Sequence, residues 1–183
     1  EIQNCTTRII MSSELRVDKI IPTAGVPTGG GGGIIQIVTG GSNTRLTVPT
    51  NTGQYYNSYV NATITPKFNT SKILIVGNGD VQCQADTTGS VKFARNVTNA
   101  DGAVPTNGTL LGGGNTGLGI VNFRFTAAME NIPLTLMHLD SPGTTSATKY
   151  TVVLARTAGS NNIYLPGNNN ANNFNLFLFE VSA

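Results

Sequence analysis

Tryptophan is missing from the 183 residues, histidine occurs once, and charged side chains make up only 11% of the chain, against roughly 25% in an average soluble protein. Each shortage removes a class of function. A lone histidine, His138, excludes a histidine-rich metal site and any two-histidine mechanism. Eleven basic and nine acidic residues leave a formal net charge of +2 with no basic stripe, so no nucleic-acid partner is expected. No run approaches the roughly 18 apolar residues that span a bilayer. The N-terminus also lacks the basic-then-apolar layout of a secretory signal, so no membrane partner is expected and the chain reads as soluble. Two cysteines, Cys5 and Cys83, are too few for a disulfide framework and read as idle or buried thiols. Nothing in the inventory calls for a cofactor.

What is abundant is turn chemistry and β-branched side chains. With 22 glycines, many Thr and Asn, and no long helical periodicity, the composition favours an all-β fold with tight turns. Strands are expected over 34–38, 45–48, 54–65, 72–76, 81–85, 90–96, 120–128, 134–139, 149–156, 163–165 and 174–181, with Gly40-Gly41-Ser42-Asn43 as a turn. The apolar run Lys72 to Val76 reads as a strand buried on both faces, and Asp86-Thr87-Thr88-Gly89 as the turn of a hairpin. Between Val97 and Gly119 the chain is almost pure turn sequence, which reads as an exposed apical loop carrying Asp101, Asn107 and Asn115. The stretches 141–147 and 166–173 read as further loops at that end.

The last strand is apolar on both faces. Phe174, Leu176 and Leu178 alternate with Phe177, Phe179 and Val181, so one face can fill a sandwich core while the other needs a further partner. Copies of the same chain around an axis would supply it. Phe174, Leu176, Phe177, Leu178 and Phe179 are therefore the expected interface between copies, a trimer interface if the resemblance given below holds. Many short strands separated by turn clusters imply an antiparallel β-sandwich or jelly roll over residues 34–183, and their spacing does not give the topology.

Catalytic motifs are thin. Ser141, His138 and Asp140 lie too close along one strand to form a triad. No two of the nine carboxylates are marked as a glycosidase pair, so a glycan-degrading spike ranks low. Gly29 to Gly33 lacks the Gly-Lys-Ser/Thr ending of a phosphate loop and precedes a strand, so it reads as a hinge. The Asn-x-Ser/Thr triplets at Asn4, Asn61, Asn69, Asn96 and Asn107 are expected by chance in such a composition.

The front end holds the most specific pattern. Ser13-Glu14-Leu15-Arg16-Val17-Asp18-Lys19-Ile20-Ile21-Pro22, then Val26-Pro27-Thr28, the glycine run and Ile34-Ile35-Gln36, lay out an amphipathic segment, a swivel and a body. Residues 1–33 read as an attachment arm in which Leu15 to Ile21 either add a strand to a partner's sheet edge or begin this chain's own sheet. The block resembles the opening of virion structural and tail-fibre proteins of phages that infect cyanobacteria. Ser71 to Ile75, Leu139 to Pro142, Thr148 to Tyr150 and Phe179 to Val181 resemble segments of phage fibre heads, whose bodies are similar to trimeric jelly rolls of the TNF and C1q type. The resemblance implies a non-enzymatic homotrimer on the virion surface. Its implied partners are tail, baseplate or capsid proteins and host-surface glycan, as a tail fibre or alternatively a capsid cement protein.

Overall fold

The computed structural model describes residues 33–48, 53–112, 120–126, 130–167 and 173–182. The attachment-arm residues Leu15, Arg16, Val17, Asp18, Lys19, Ile20 and Ile21, together with Cys5 and Asn115, lie outside the described residues. Eleven strands are present: β1 (Ile34–Ser42), β2 (Leu46–Val48), β3 (Tyr55–Ile64), β4 (Lys72–Cys83), β5 (Thr87–Arg95), β6 (Thr109–Leu111), β7 (Val121–Phe125), β8 (Glu130–Asp140), β9 (Thr148–Ala158), β10 (Ile163–Leu165) and β11 (Phe174–Val181).

All pairings are antiparallel. In the first sheet β4 pairs with β8 along its whole length on one side. Its other side is shared by β11 and β10, which lead on to β1 and β2. In the second sheet β3 pairs with β9, β9 with β5, and β5 shares its far side between β7 and β6. Setting aside the three-residue strands β2, β6 and β10, the eight longer strands taken in chain order run 1-8-3-6 in one sheet and 2-7-4-5 in the other. That wiring is a jelly roll. The all-β antiparallel sandwich read from composition is the fold.

Alternation places the core. Ile73 and Ile75 of β4, Leu134 and Leu136 of β8, and Phe174, Leu176 and Leu178 of β11 meet Val91 and Phe93, Phe123 and Phe125, and Tyr150, Val152 and Leu154 from the opposite sheet. Cys83 is buried among them and unpaired. Burial pushes its thiol up to about 11, against smaller opposing contributions from Thr87, Gln84 and Arg156, so it is an inert core thiol.

Three expectations are corrected. The Asp86 turn joins no hairpin: β4 and β5 lie in different sheets, and residues 84–86 form an arch across the sandwich, with Asp86 at φ 54°. Gly40 and Gly41 are not a turn but the continuation of β1, paired with Leu176 and Asn175. A β-carbon on Gly40 would stand 2.2 Å from the Asn61 carbonyl oxygen, so this glycine serves the close approach of β1 to β3. The segment Lys72 to Val76 is not buried on both faces either: Ile73 and Ile75 are buried, while Leu74 and Val76 are half-buried on the outside.

One buried carboxylate ties the sheet edge to a loop. Glu180 of β11 is fully buried and accepts hydrogen bonds from Gln36 Nε2 (2.5 Å) and from the Lys67 and Phe68 amides (2.7 and 3.4 Å). Gln36 Nε2 also donates to the Thr65 carbonyl at 2.7 Å, closing the 65–68 turn onto β1. Burial alone would raise the pKa of Glu180, but Ser71, Gln36 and the Lys67 and Phe68 amides outweigh it and hold the group below the ordinary carboxylate value. A depressed folded-state pKa contributes stability that is present above the unfolded pKa and is lost as pH falls through the folded one. Unfolding midpoints of wild type should therefore fall on acidification below about pH 4.5. Glu180→Gln should flatten that acid limb, measured as urea midpoint against pH; an unchanged limb would remove Glu180 from its cause.

Candidate functional site

The feature that the fold leaves unresolved is the outer face of the sheet β1-β11-β4-β8. Register aligns its outward side chains into rows. Ile37, Phe179, Leu74 and Leu139 stand side by side across four strands, and Thr39, Phe177, Val76 and Met137 form the next row. Ile34 beside Val181 extends the face at one end. Four of the five large exposed hydrophobic residues among those described lie here: Ile34 (59%), Ile37 (55%), Met137 (59%) and Leu139 (51%). Neither row contains a charged residue. The face ends in polar residues, with Lys72 at one border and Gly41, Asn175, Asn78 and Thr135 at the other, where Asn78 Nδ2 donates to Thr135 Oγ1 at 3.0 Å.

Of the five residues expected at a trimer interface, Phe177 and Phe179 belong to this face. Phe174, Leu176 and Leu178 do not: each is fully buried in the chain's own core, so a neighbouring copy cannot touch them. The sequence reading also missed Ile37, Leu74 and Val76. Their signal was the parity of β1 and β4 once paired to β11, which the chain order does not disclose.

The outer face of the other sheet is covered by the chain itself. Tyr55, Ala94, Val97, Val153 and Ala155 form a second, smaller apolar cluster with Leu110 packed on it. Asn57, fully buried, fastens the covering loop. Its amide donates to the Ala103 carbonyl at 2.8 Å and its carbonyl accepts from the Gly102 amide at 2.7 Å. Its Nδ2 donates to Asp101 Oδ1 and the Asn99 carbonyl at 2.9 and 3.2 Å, and its Oδ1 accepts from Thr151 Oγ1 at 2.9 Å. The described part of the expected apical loop thus lies folded on the sheet. Asp101 is half-buried in that attachment rather than displayed. Asn107 is exposed, but its side chain accepts from the Thr98 amide at 3.1 Å and donates to Thr98 Oγ1. Asn57→Ala keeps the two backbone bonds but strands Asp101 Oδ1 and the Asn99 carbonyl, which should cost about 1–3 kcal/mol, with faster hydrogen exchange confined to residues 99–107. Uniform exchange across both sheets would show that the loop is held by something else.

Under the loop a cleft of about 280 Å³ opens between Tyr55, Val104, Pro105 and Leu110, with Thr106 and Asn107 at its rim. Beneath it Lys92 is fully buried with Nζ 4.1 Å from the Tyr55 ring centroid, and the Tyr55 hydroxyl shares a 2.8 Å hydrogen bond with Ser90 Oγ. Desolvation lowers the Lys92 pKa. Desolvation likewise raises that of Tyr55, against the opposing effect of the Ser90 bond.

Among the described residues no reaction centre assembles around His138. Asp140, its neighbour two residues on, is committed to Arg95 Nη1, at 3.0 and 2.7 Å, and to the Tyr150 hydroxyl at 2.7 Å. Among the described residues no group of three His, Cys, Asp or Glu side chains could hold a metal ion.

No protein-family model matches the chain, and no curated protein does. Among solved structures it is similar to a mutant VP2 protein of infectious bursal disease virus in derived T=1 particles, at 10% identity and a TM-score of 0.35, covering 79% of this chain. It is also similar to a chain of the T13 particle of the same virus, at 10% identity and a TM-score of 0.33, covering 81% of this chain. It spans 36% of the length of each of those two chains.

Proposed function

We propose that this chain is a non-enzymatic structural subunit of a phage particle. Residues 1–33 attach it to the virion, and its jelly-roll body, as a homotrimer, projects outward to meet the host surface in the manner of a short tail fibre or fibre head. The observation that carries the reading is the uncharged apolar face left open on β1-β11-β4-β8, which suits a protein that works inside an assembly. The arm, glycine run and body succeed one another in the order such a subunit needs, and the jelly roll is an architecture widely used in virus coats. Tail, baseplate or capsid proteins would take the arm, and the cleft beside Tyr55 and Asn107 would be the contact for host glycan.

A second reading, a capsid cement protein, is favoured by one specific observation. The loop expected to project is laced down by Asn57 and by the Thr98 and Asn107 pairing, which shortens the tip a receptor contact would use. The experiment is quantitative mass spectrometry of purified virions against the major capsid protein. Tens of copies per particle would support the fibre, hundreds would establish the cement role, and absence from the particle would overturn both.

A further inference from the structure

The two outer faces of the sandwich have opposite fates. One is covered by residues 97–108 and sealed through Asn57. The other, on β1-β11-β4-β8, displays Ile37, Phe179, Leu74 and Leu139 in one row and Phe177, Val76 and Met137 in the next, with nothing from the described residues over them. We propose that this face is the contact between copies of this chain, with Phe177 and Phe179 at its centre and Ile37, Met137 and Leu139 at its margins. The proposal deepens the reading of the chain as a self-assembling subunit and rests on it.

Three observations select a second copy as the occupant. First, the rows are neutral throughout, so two such faces can meet without burying an unpaired charge. Second, the extent is right. Four strands spaced about 4.8 Å apart and about eight residues long at roughly 3.3 Å each give about 19 by 26 Å, or roughly 500 Å² in projection. With the polar borders already included, side-chain relief brings this toward the roughly 800 Å² that each partner of a stable complex buries. Third, a strand added from Leu15 to Ile21 would not be wide enough. Leu15, Val17, Ile20 and Ile21 lie on one segment, and a single extended segment covers about one strand spacing of the four. The four-stranded sheet of neighbouring copies in the trimer is wide enough to cover them all.

The test is sedimentation velocity of the full chain at micromolar concentration, comparing wild type with Ile37→Lys, Met137→Lys and Leu139→Lys. All three positions are more than half exposed, so the changes leave the core intact, which circular dichroism confirms. Thr63→Lys, exposed on β3 of the other sheet, is the control. Wild type and control should sediment as an oligomer, while the three variants should fall to the 19.1 kDa monomer. Variants that stay oligomeric would overturn the assignment of the face while leaving self-assembly standing. A monomeric wild type would overturn it as well. If trypsin then cuts at Arg16 and Lys19 only in the variants, the occupant is the arm; unchanged cutting would show that the chain itself supplies no occupant, and the proposal fails in either case. The copy number per virion tests the virion role independently of either result.

Discussion

Asp140→Ala should lower the unfolding free energy by about 3 kcal/mol, which corresponds to a fall in Tm of roughly 6–12 °C for a domain of this size. Asp140, on β8 of one sheet, takes both its oxygens to Arg95 on β5 and one to the hydroxyl of Tyr150 on β9, both in the other sheet. The cluster bolts the sandwich together at one end. Removing the carboxylate strands a fully buried phenol and a guanidinium whose side chain keeps only 21% of its exposure. Because Arg95 retains some solvent, the loss sits at the lower end of the roughly 3–5 kcal/mol seen when buried ion pairs are broken. Burial, with the Asp140 carboxylate as the next cause, drives the Tyr150 pKa far upward, so the phenol stays protonated and donates throughout the accessible range. Asp140→Asn retains an acceptor for Tyr150 and should lose less than Asp140→Ala. Unfolding free energies from urea titration of the two variants within about 0.5 kcal/mol of wild type would show that the cluster is incidental to stability.

The second large effect lies in the slot for Phe174. This ring, fully buried at the start of β11, lies against Gly77 and Gly79 of β4. A β-carbon at Gly79 would stand 2.4 Å from a Phe174 ring carbon and 3.0 Å from its Cα. Phe174→Ala should cost about 3–5 kcal/mol as a core cavity, and Gly79→Ala about 1–3 kcal/mol by overpacking. The decisive measurement is the double variant. With the ring gone, the two shortest contacts disappear and only the approach to the residue 174 Cα remains, so Gly79→Ala should cost less in the Phe174→Ala background, with a coupling of the order of 1 kcal/mol. Costs that simply add would mean that the glycines are there for another reason.

Both sites show where sequence reading stops. The alternation of β11 was legible in full, including which side chains share a face, because a strand's period is fixed by its own backbone. Which of its two apolar faces would be the core was not legible, since that depends on β4 and β1, which lie far away in the chain. The Asp86 turn misled for a related reason. A hairpin and an arch use the same turn residues, and only the pairing of the flanking strands tells them apart. Asn57 gave no signal at all. Its role comes from meeting Asp101 and Thr151, 44 and 94 residues away. The Asn and Thr residues of the 97–112 loop read as display chemistry, yet the same side chains lace a folded-down loop to itself, because both uses need short polar groups that bond to the backbone. The apolar run at Lys72 to Val76 was sound as an observation. Its outward half, Leu74 and Val76, is apolar although it lies half-buried on an outer face, a condition that composition cannot distinguish from burial within one chain.

The position of β11 also sets an order of events during synthesis. Gly33 and Ser182 hold the two ends of the described body together, with the Ser182 amide donating to the Gly33 carbonyl at 3.0 Å and the Gly33 amide to Ser182 Oγ at 3.1 Å. Between those ends β11 lies wedged between β1 and β4. The neighbour that β1 requires begins at Phe174, 140 residues after Ile34 (174 − 34). At 5–20 residues per second, β1 waits roughly 7–28 s for its partner on the ribosome. For that interval the nascent chain carries an open sheet edge and apolar side chains that β11 has yet to cover, the features that make incompletely folded chains prone to aggregate.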